Sequence, residues 1–275
     1  MVSKADYGQQ EVNASKTVLV ELIHVLGEFR NSIVVVGGSV PPLLFPEKAD
    51  EYVGTLDVDL AIDPSISENT YESIRKCLLS SGYQESDKQP FIFYRKVTIS
   101  DSTPITVQVD LLSGEYGGTG KTHRTQKIQD IRARKARGSD LAFNTFEEVE
   151  IEAELPNGGL DKVKCRIAGI VPFLVMKGMA LASRMKEKDA WDIYFCLLHF
   201  PGGLEKLVEE FRPFAENKLV VEGLSNIGEK FQSPDHIGPK NIVDFENITD
   251  EEENDRIKRD AYERVHFLLS KLGLW

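Results

Sequence analysis

The run Ser32-Ile33-Val34-Val35-Val36 ends in Gly37-Gly38-Ser39, and Thr55-Leu56-Asp57-Val58-Asp59-Leu60 follows it; these two stretches decide the fold. The first reads as a short buried strand closed by a tight turn. The second reads as another strand, continuing to Ile62. Side chains i and i+2 of a strand share a face, so Asp57 and Asp59 occupy one patch while Val58, Leu60 and Ile62 turn to the core. Two carboxylates on one patch repel and resist ionisation, and a divalent cation reverses that cost. Alone, Asp-x-Asp is more readily a solvated strand edge. The Gly-Gly-Ser turn adds weight, because a turn after an apolar strand exposes backbone N–H groups and a hydroxyl to phosphate oxygens. A third acid, Asp110, ends the alternating run that begins at Ile105, where an isolated carboxylate has no packing role. If its strand lies beside that of Asp57 and Asp59, three carboxylates converge. Two-metal nucleotidyl transfer needs that arrangement, one ion activating an acceptor hydroxyl and the other neutralising a triphosphate.

Residues 14–29 place Val18, Leu19, Leu22, Ile23, Val25, Leu26 and Phe29 near helical spacing, which predicts an amphipathic helix on a sheet. Pro41 and Pro42 fall in a turn or short helix, residues 68–81 read as a helix, and 91–98 and 104–112 as strands. Two further strand-like stretches, Glu147 to Glu154 and Lys162 to Ile167, are divided by the turn signal Pro156-Asn157-Gly158-Gly159. Beyond Ile170 the pattern becomes helical over Pro172 to Arg184, Lys188 to His199, Leu204 to Phe211 and Glu251 to Leu272. Residues 213–248 mix apolar pieces with Gly and Pro and receive no assignment. The expectation is an α/β (α+β) protein: a mixed-sheet domain over residues 1–168 followed by a helical C-terminal domain over 169–275, with the site in the cleft between them.

At 275 residues, 41% hydrophobic and 28% charged, the chain is ordinary globular material. The polar N-terminus lacks the apolar core of a signal peptide and no run approaches a membrane span, so a cytoplasmic protein without membrane contact is expected. Cys77, Cys165 and Cys196 lie far apart, which argues for reduced core residues over disulfides or structural zinc. The net charge of -11 is uneven: residues 121–137 carry seven basic side chains against one acidic. That island includes Arg124, Lys127, Arg132, Arg134 and Lys135. A solvated loop is the ordinary reading. Phosphate neutralisation, of RNA or of a triphosphate, is the functional one, and the lack of interleaved aromatics argues against base stacking.

A second motif lies in the helical half: Lys177-Gly-Met-Ala-Leu-Ala-Ser-Arg184-Met-Lys-Glu-Lys188-Asp189-Ala-Trp-Asp192-Ile-Tyr194. Asp189 and Asp192 are three apart and share a helix face, as do Lys177 and Arg184 at seven. An ordinary salt-bridge network explains that spacing too. Gly38-Ser39, Thr55-x-Asp57-x-Asp59 and Asp110 together resemble the polymerase-β-like nucleotidyltransferase superfamily. The later motif resembles the signature of AbiEii/AbiGii toxin nucleotidyltransferases, the likeness covering roughly residues 30–200. The resemblance implies a nucleotidyltransferase fold in which Asp57, Asp59 and Asp110 are catalytic and hold Mg2+, one ion or two. Gly38, Ser39, Thr55, Lys177, Lys188, Asp189 and Asp192 would then bind the nucleotide. It also implies an NTP substrate, a hydroxyl acceptor such as tRNA, another RNA or a protein, and a toxin of a toxin–antitoxin or phage-defence pair with a cognate antitoxin. Transfer to a small molecule of the aminoglycoside type, and a non-catalytic nucleotide-binding module, are the alternatives.

Gly120-Lys121-Thr122 invites a P-loop reading, but the required spacing puts Glu115 where the first glycine belongs. The histidines show no metal-ligand spacing, and no nucleophile elbow is present.

Overall fold

The computed structural model describes residues 3–66, 72–98, 103–114, 125–156, 158–184 and 186–275. The P-loop-like stretch at 115–122 and the island's first residues lie outside them. In order, the elements are α1 (Gln9–Val25), β1 (Ile33–Val36), α2 (Pro41–Leu44), β2 (Asp57–Ile62), α3 (Ile74–Ser80), β3 (Gln84–Glu85), β4 (Ile92–Val97), β5 (Ile105–Ser113) and β6 (Thr125–Ile128). There follow β7 (Ile131–Lys135), β8 (Phe146–Glu154), β9 (Leu160–Ala168), α4 (Ile170–Ser183), α5 (Glu187–His199), α6 (Gly203–Phe211), α7 (Lys218–Lys230), α8 (Ile237–Glu246) and α9 (Glu251–Lys271).

The chain divides into two compact units, one of Tyr7–Leu43 with Gly54–Gly169, the other of Met1–Asp6, Leu44–Val53 and Ile170–Trp275. The first is built on a mixed sheet in the order β3-β4-β5-β2-β1-β9-β8, with the hairpin β6–β7 joined through β7 to β5. Strand β2 runs parallel to β5 and β1 parallel to β9, while β1 and β2 are antiparallel. The four residues of β1 are all buried, as their unbroken β-branched run requires of a strand covered on both faces. Helix α1 starts at Gln9, five residues earlier than the apolar spacing alone marks, because its first turn is polar and only Ala14 onward faces inward. Glu21 on α1 accepts a two-pronged contact from Arg95 of β4 (2.7 and 2.6 Å) and a hydrogen bond from Tyr83 Oη (3.0 Å), which tie helix to sheet.

Two assignments differ from the expectation. The described part of the basic island is the hairpin β6–β7, whose inward Ile128, Ile131 and Ala133 are buried. Residues 213–248 contain α7 and α8. Pro239 falls in the first turn of α8, where the missing N–H costs no helical bond. The helix expected over 68–81 is α3, with 67–71 outside the described residues.

The second unit is helical. A Cβ on Gly178 of α4 would lie 2.0 Å from the carbonyl oxygen of Gly223 on α7, so the two helices meet backbone to backbone. Tyr52, Trp191, Phe195 and Phe245 form an aromatic core whose successive ring centroids stand 5.0–5.4 Å apart. Cys165 and Cys196 are buried and Cys77 half-buried, all as thiols; burial pushes the Cys165 thiol up to about 12. Among the described residues no helix is long and apolar enough to cross a membrane.

Candidate active site

The sheet brings the three sequence-nominated acids onto one row. Asp59 pairs with Asp110 across the parallel strands β2 and β5, and Asp57 pairs with Gln108 one step earlier. In-register residues of neighbouring strands point to the same side, so Asp57, Asp59 and Asp110 share a face. Behind them Val58, Leu60, Val109 and Leu111 are fully buried, and this is the packing that prevents a one-residue slip from turning the acids into the core.

The row continues into the glycine turn. Val36 pairs with Asp59, so Gly37-Gly38-Ser39 leaves β1 directly beside that carboxylate. Gly37 has φ +70°, and a Cβ there would stand 2.0 Å from Asp59 Oδ2. Only a glycine allows the turn and the carboxylate to occupy this space. Ser39 is buried, and the turn closes through Val40 N–H donating to the Gly37 carbonyl at 3.2 Å.

Asp57 and Asp110 have local support. Thr55 Oγ1 donates to Asp57 Oδ1 at 2.6 Å, and Ser15 Oγ of α1 donates to the Asp57 carbonyl at 2.9 Å, fixing the start of β2. Asp110, only 6% exposed, accepts from Gln108 Nε2 at 3.0 Å and pairs with Arg134 Nη2 at 3.4 Å. Gln108 was available to sequence reading as the residue two before Asp110 on the same strand face. In the sequence Arg134 is only one cation of the island, because nothing there shows that β7 takes the place beside β5 where β4 ends.

Among the described residues no three carboxylate, imidazole or thiol groups stand ready as a metal-binding cluster. The acids nevertheless fit magnesium in kind: three carboxylates, hard oxygen donors, stand on one face beside a glycine turn. A cation would displace or share the Thr55, Gln108 and Arg134 contacts.

The nominated residues of the helical unit form a second cluster, within that unit. Lys177 Nζ lies 3.0 Å from Asp189 Oδ1 and 2.6 Å from Asp192 Oδ2. The shorter contact joins an ammonium and a carboxylate that are both buried. Lys188 Nζ reaches Asp192 Oδ1 at 2.8 Å and donates to Tyr52 Oη at 2.9 Å, while that hydroxyl donates to Asp192 Oδ1 at 2.8 Å. Arg184 grips Asp189 through Nε at 3.0 Å and Nη2 at 3.3 Å. Burial presses the Lys177 ammonium toward neutrality, but Asp192 and Asp189 outweigh it and raise its pKa. Lys188 goes the other way, its burial and the Lys177 charge outweighing Asp192. Burial likewise works to raise the Asp189 carboxyl, and Lys177 with Arg184 overrides it, holding the group at about 2. Tyr52 carried no sequence signal. It sits in a stretch that reads as a connecting turn.

The architecture is a mixed α/β sheet unit with several C-terminal helices. No protein-family model and no curated protein matches the chain. Among solved structures it is similar to JHP933 from Helicobacter pylori, at 13% identity and TM-score 0.48, over 97% of this chain and 96% of that one. It is also similar to a protein described as "putative nucleotidyltransferase from H. pylori", at 14% identity and TM-score 0.47, over 96% and 98% of the two chains.

Proposed function

We propose that the chain is a magnesium-dependent nucleotidyltransferase that moves a nucleoside monophosphate from an NTP to a hydroxyl acceptor and releases pyrophosphate. One observation carries the reading: Asp59 and Asp110 are register partners on adjacent strands, with Asp57 on the same face and the Gly37 turn against Asp59. A stabilising role does not account for three acids on one face, since like charges so placed oppose folding. Asp57, Asp59 and Asp110 would hold the cation, which when bound supplies charge neutralisation at the triphosphate. Ser39 and the backbone N–H groups of the turn bind phosphate oxygens, assisted by Thr55, whose hydroxyl orients Asp57. Asp110 holds the proton of the attacking hydroxyl, its carboxylate aimed by Gln108.

Lys177, Lys188, Asp189 and Asp192 enter this reading as proposed nucleotide contacts on the strength of their motif. An RNA acceptor such as tRNA, and the role of toxin opposite an antitoxin, belong to the same proposal and rest on the resemblance and on the basic hairpin. Pyrophosphate release tests the core of it. Wild-type protein with magnesium, an NTP and total RNA should release pyrophosphate, and Asp57→Ala should fall to background while keeping its melting temperature. Equal release by the two proteins, or none from wild type with any of the four NTPs, would remove the reading.

A further inference from the structure

Arg134 stands apart from the residues that the motifs nominate. It lies on β7, where Leu112 of β5 pairs with it two residues beyond Asp110, so its side chain projects from the face that carries the acids. Its Nη2 reaches Asp110 Oδ2 at 3.4 Å, its guanidinium lies 5.7 Å from the Phe91 ring centroid, and its Nε is buried without a hydrogen-bond partner. A desolvated guanidinium nitrogen left unpaired is costly, and five donors in a planar fork suit phosphate. Arg132 shares the strand face of Arg134, and Lys127 pairs with Arg132, so the hairpin extends the cationic surface outward.

We infer that Arg134 is a phosphate-binding residue of this site and takes the polyphosphate chain of the incoming nucleotide. The inference rests on the nucleotidyltransferase reading but names a residue that reading did not require. Arg134 holds Asp110 while the carboxylate has no cation to serve. Once Asp110 turns to a cation, the guanidinium loses that partner while its Nε already lacks one. The anion that arrives with the cation is the polyphosphate itself. Arg134 therefore exchanges a carboxylate for a phosphate, which makes it a residue through which cation and polyphosphate binding are coupled.

The test is calorimetric titration of inorganic tripolyphosphate into the full chain, with and without magnesium, for wild type, Arg134→Gln, Arg134→Lys and the exposed control Lys162→Gln. Charge-assisted hydrogen bonds of this kind predict a loss of about 10-fold or more for Arg134→Gln in the presence of magnesium. Arg134→Lys should recover part of it and Lys162→Gln should match wild type. Magnesium titrated alone should bind Arg134→Gln at least as well as wild type, which a merely misfolded variant would not do. Tripolyphosphate binding unchanged in Arg134→Gln would overturn the inference. So would a wild type that ignores tripolyphosphate yet binds RNA in an Arg134-dependent way. If tripolyphosphate binding depends on Arg134 while no nucleotide is ever transferred, the inference stands and the enzymatic reading falls.

Discussion

Asp59 is the residue on which the site turns, because it is hemmed on one side by a glycine turn and on the other by a second acid. Gly37→Ala would set a methyl group 2.0 Å from its Oδ2 at φ +70°. The left-handed backbone alone costs about 1–2 kcal/mol for a non-glycine residue, and the carboxylate must also move. The expected outcome is a lowered denaturation midpoint together with a loss of transfer larger than the stability change explains; wild-type kinetics in this variant would show that the turn does not seat Asp59. A different prediction follows from Asp189, whose carboxyl is held at about 2 in the folded protein. A group with a depressed folded pKa stabilises fully above its unfolded value and loses that contribution as pH falls through the folded one. Acid titration of stability should therefore show a loss of roughly 2 kcal/mol between about pH 4 and pH 2 that Asp189→Asn flattens. An unchanged acid limb in the variant would contradict the assigned ion pairs. The acidic pair was legible from the sequence because period-two alternation reports a strand face directly. Arg134 was not, since its partner Asp110 lies 24 residues away and only strand pairing joins them.

Elements with dense apolar periodicity, such as β1, β2, β5, α4 and α5, follow from the sequence to within a few residues. The hairpin β6–β7 does not, because only Ile128, Ile131 and Ala133 face inward and the polar remainder resembles a loop. Helices α7 and α8 were obscured by glycines that serve packing. Gly223 lies against Val175, a Cβ there standing 2.9 Å from that residue's Cα, and Gly238 against Phe231, at 2.5 Å from a ring carbon. The close approach of α4 and α7 leaves no room for a side chain at Gly178. Gly178→Ala would drive a Cβ to 2.0 Å from the Gly223 carbonyl oxygen, whereas Gly27→Ala meets nothing within 4 Å. Overpacking of this kind typically costs about 1–3 kcal/mol, and an open surface site stays within about 0.5 kcal/mol. Chemical denaturation of the two variants should separate them by that margin, and a Gly178→Ala protein as stable as wild type would show that the crossing is looser than described.

Across the whole molecule, the sheet with its carboxylate row and the helices with their buried ion network were both foreseeable in outline. The assignment of Leu44–Val53 to the helical unit was not. Tyr52 meets Asp192 across 140 residues of sequence, and no local pattern reports so distant a hydroxyl. The negative net charge of -11 also conceals the hairpin that lies beside Asp110, because a sum over the chain erases the sign of a short segment. If three aspartates carry the chemistry, label transfer from α-phosphate-labelled NTP depends on each of them. With magnesium and total RNA, wild type should pass the label to an acceptor, γ-labelled NTP should leave none, and Asp57→Ala, Asp59→Ala and Asp110→Ala should each fall by at least 100-fold, on the order of the loss when a principal catalytic group is removed. Transfer that persists in any of the three variants at the wild-type rate would contradict it.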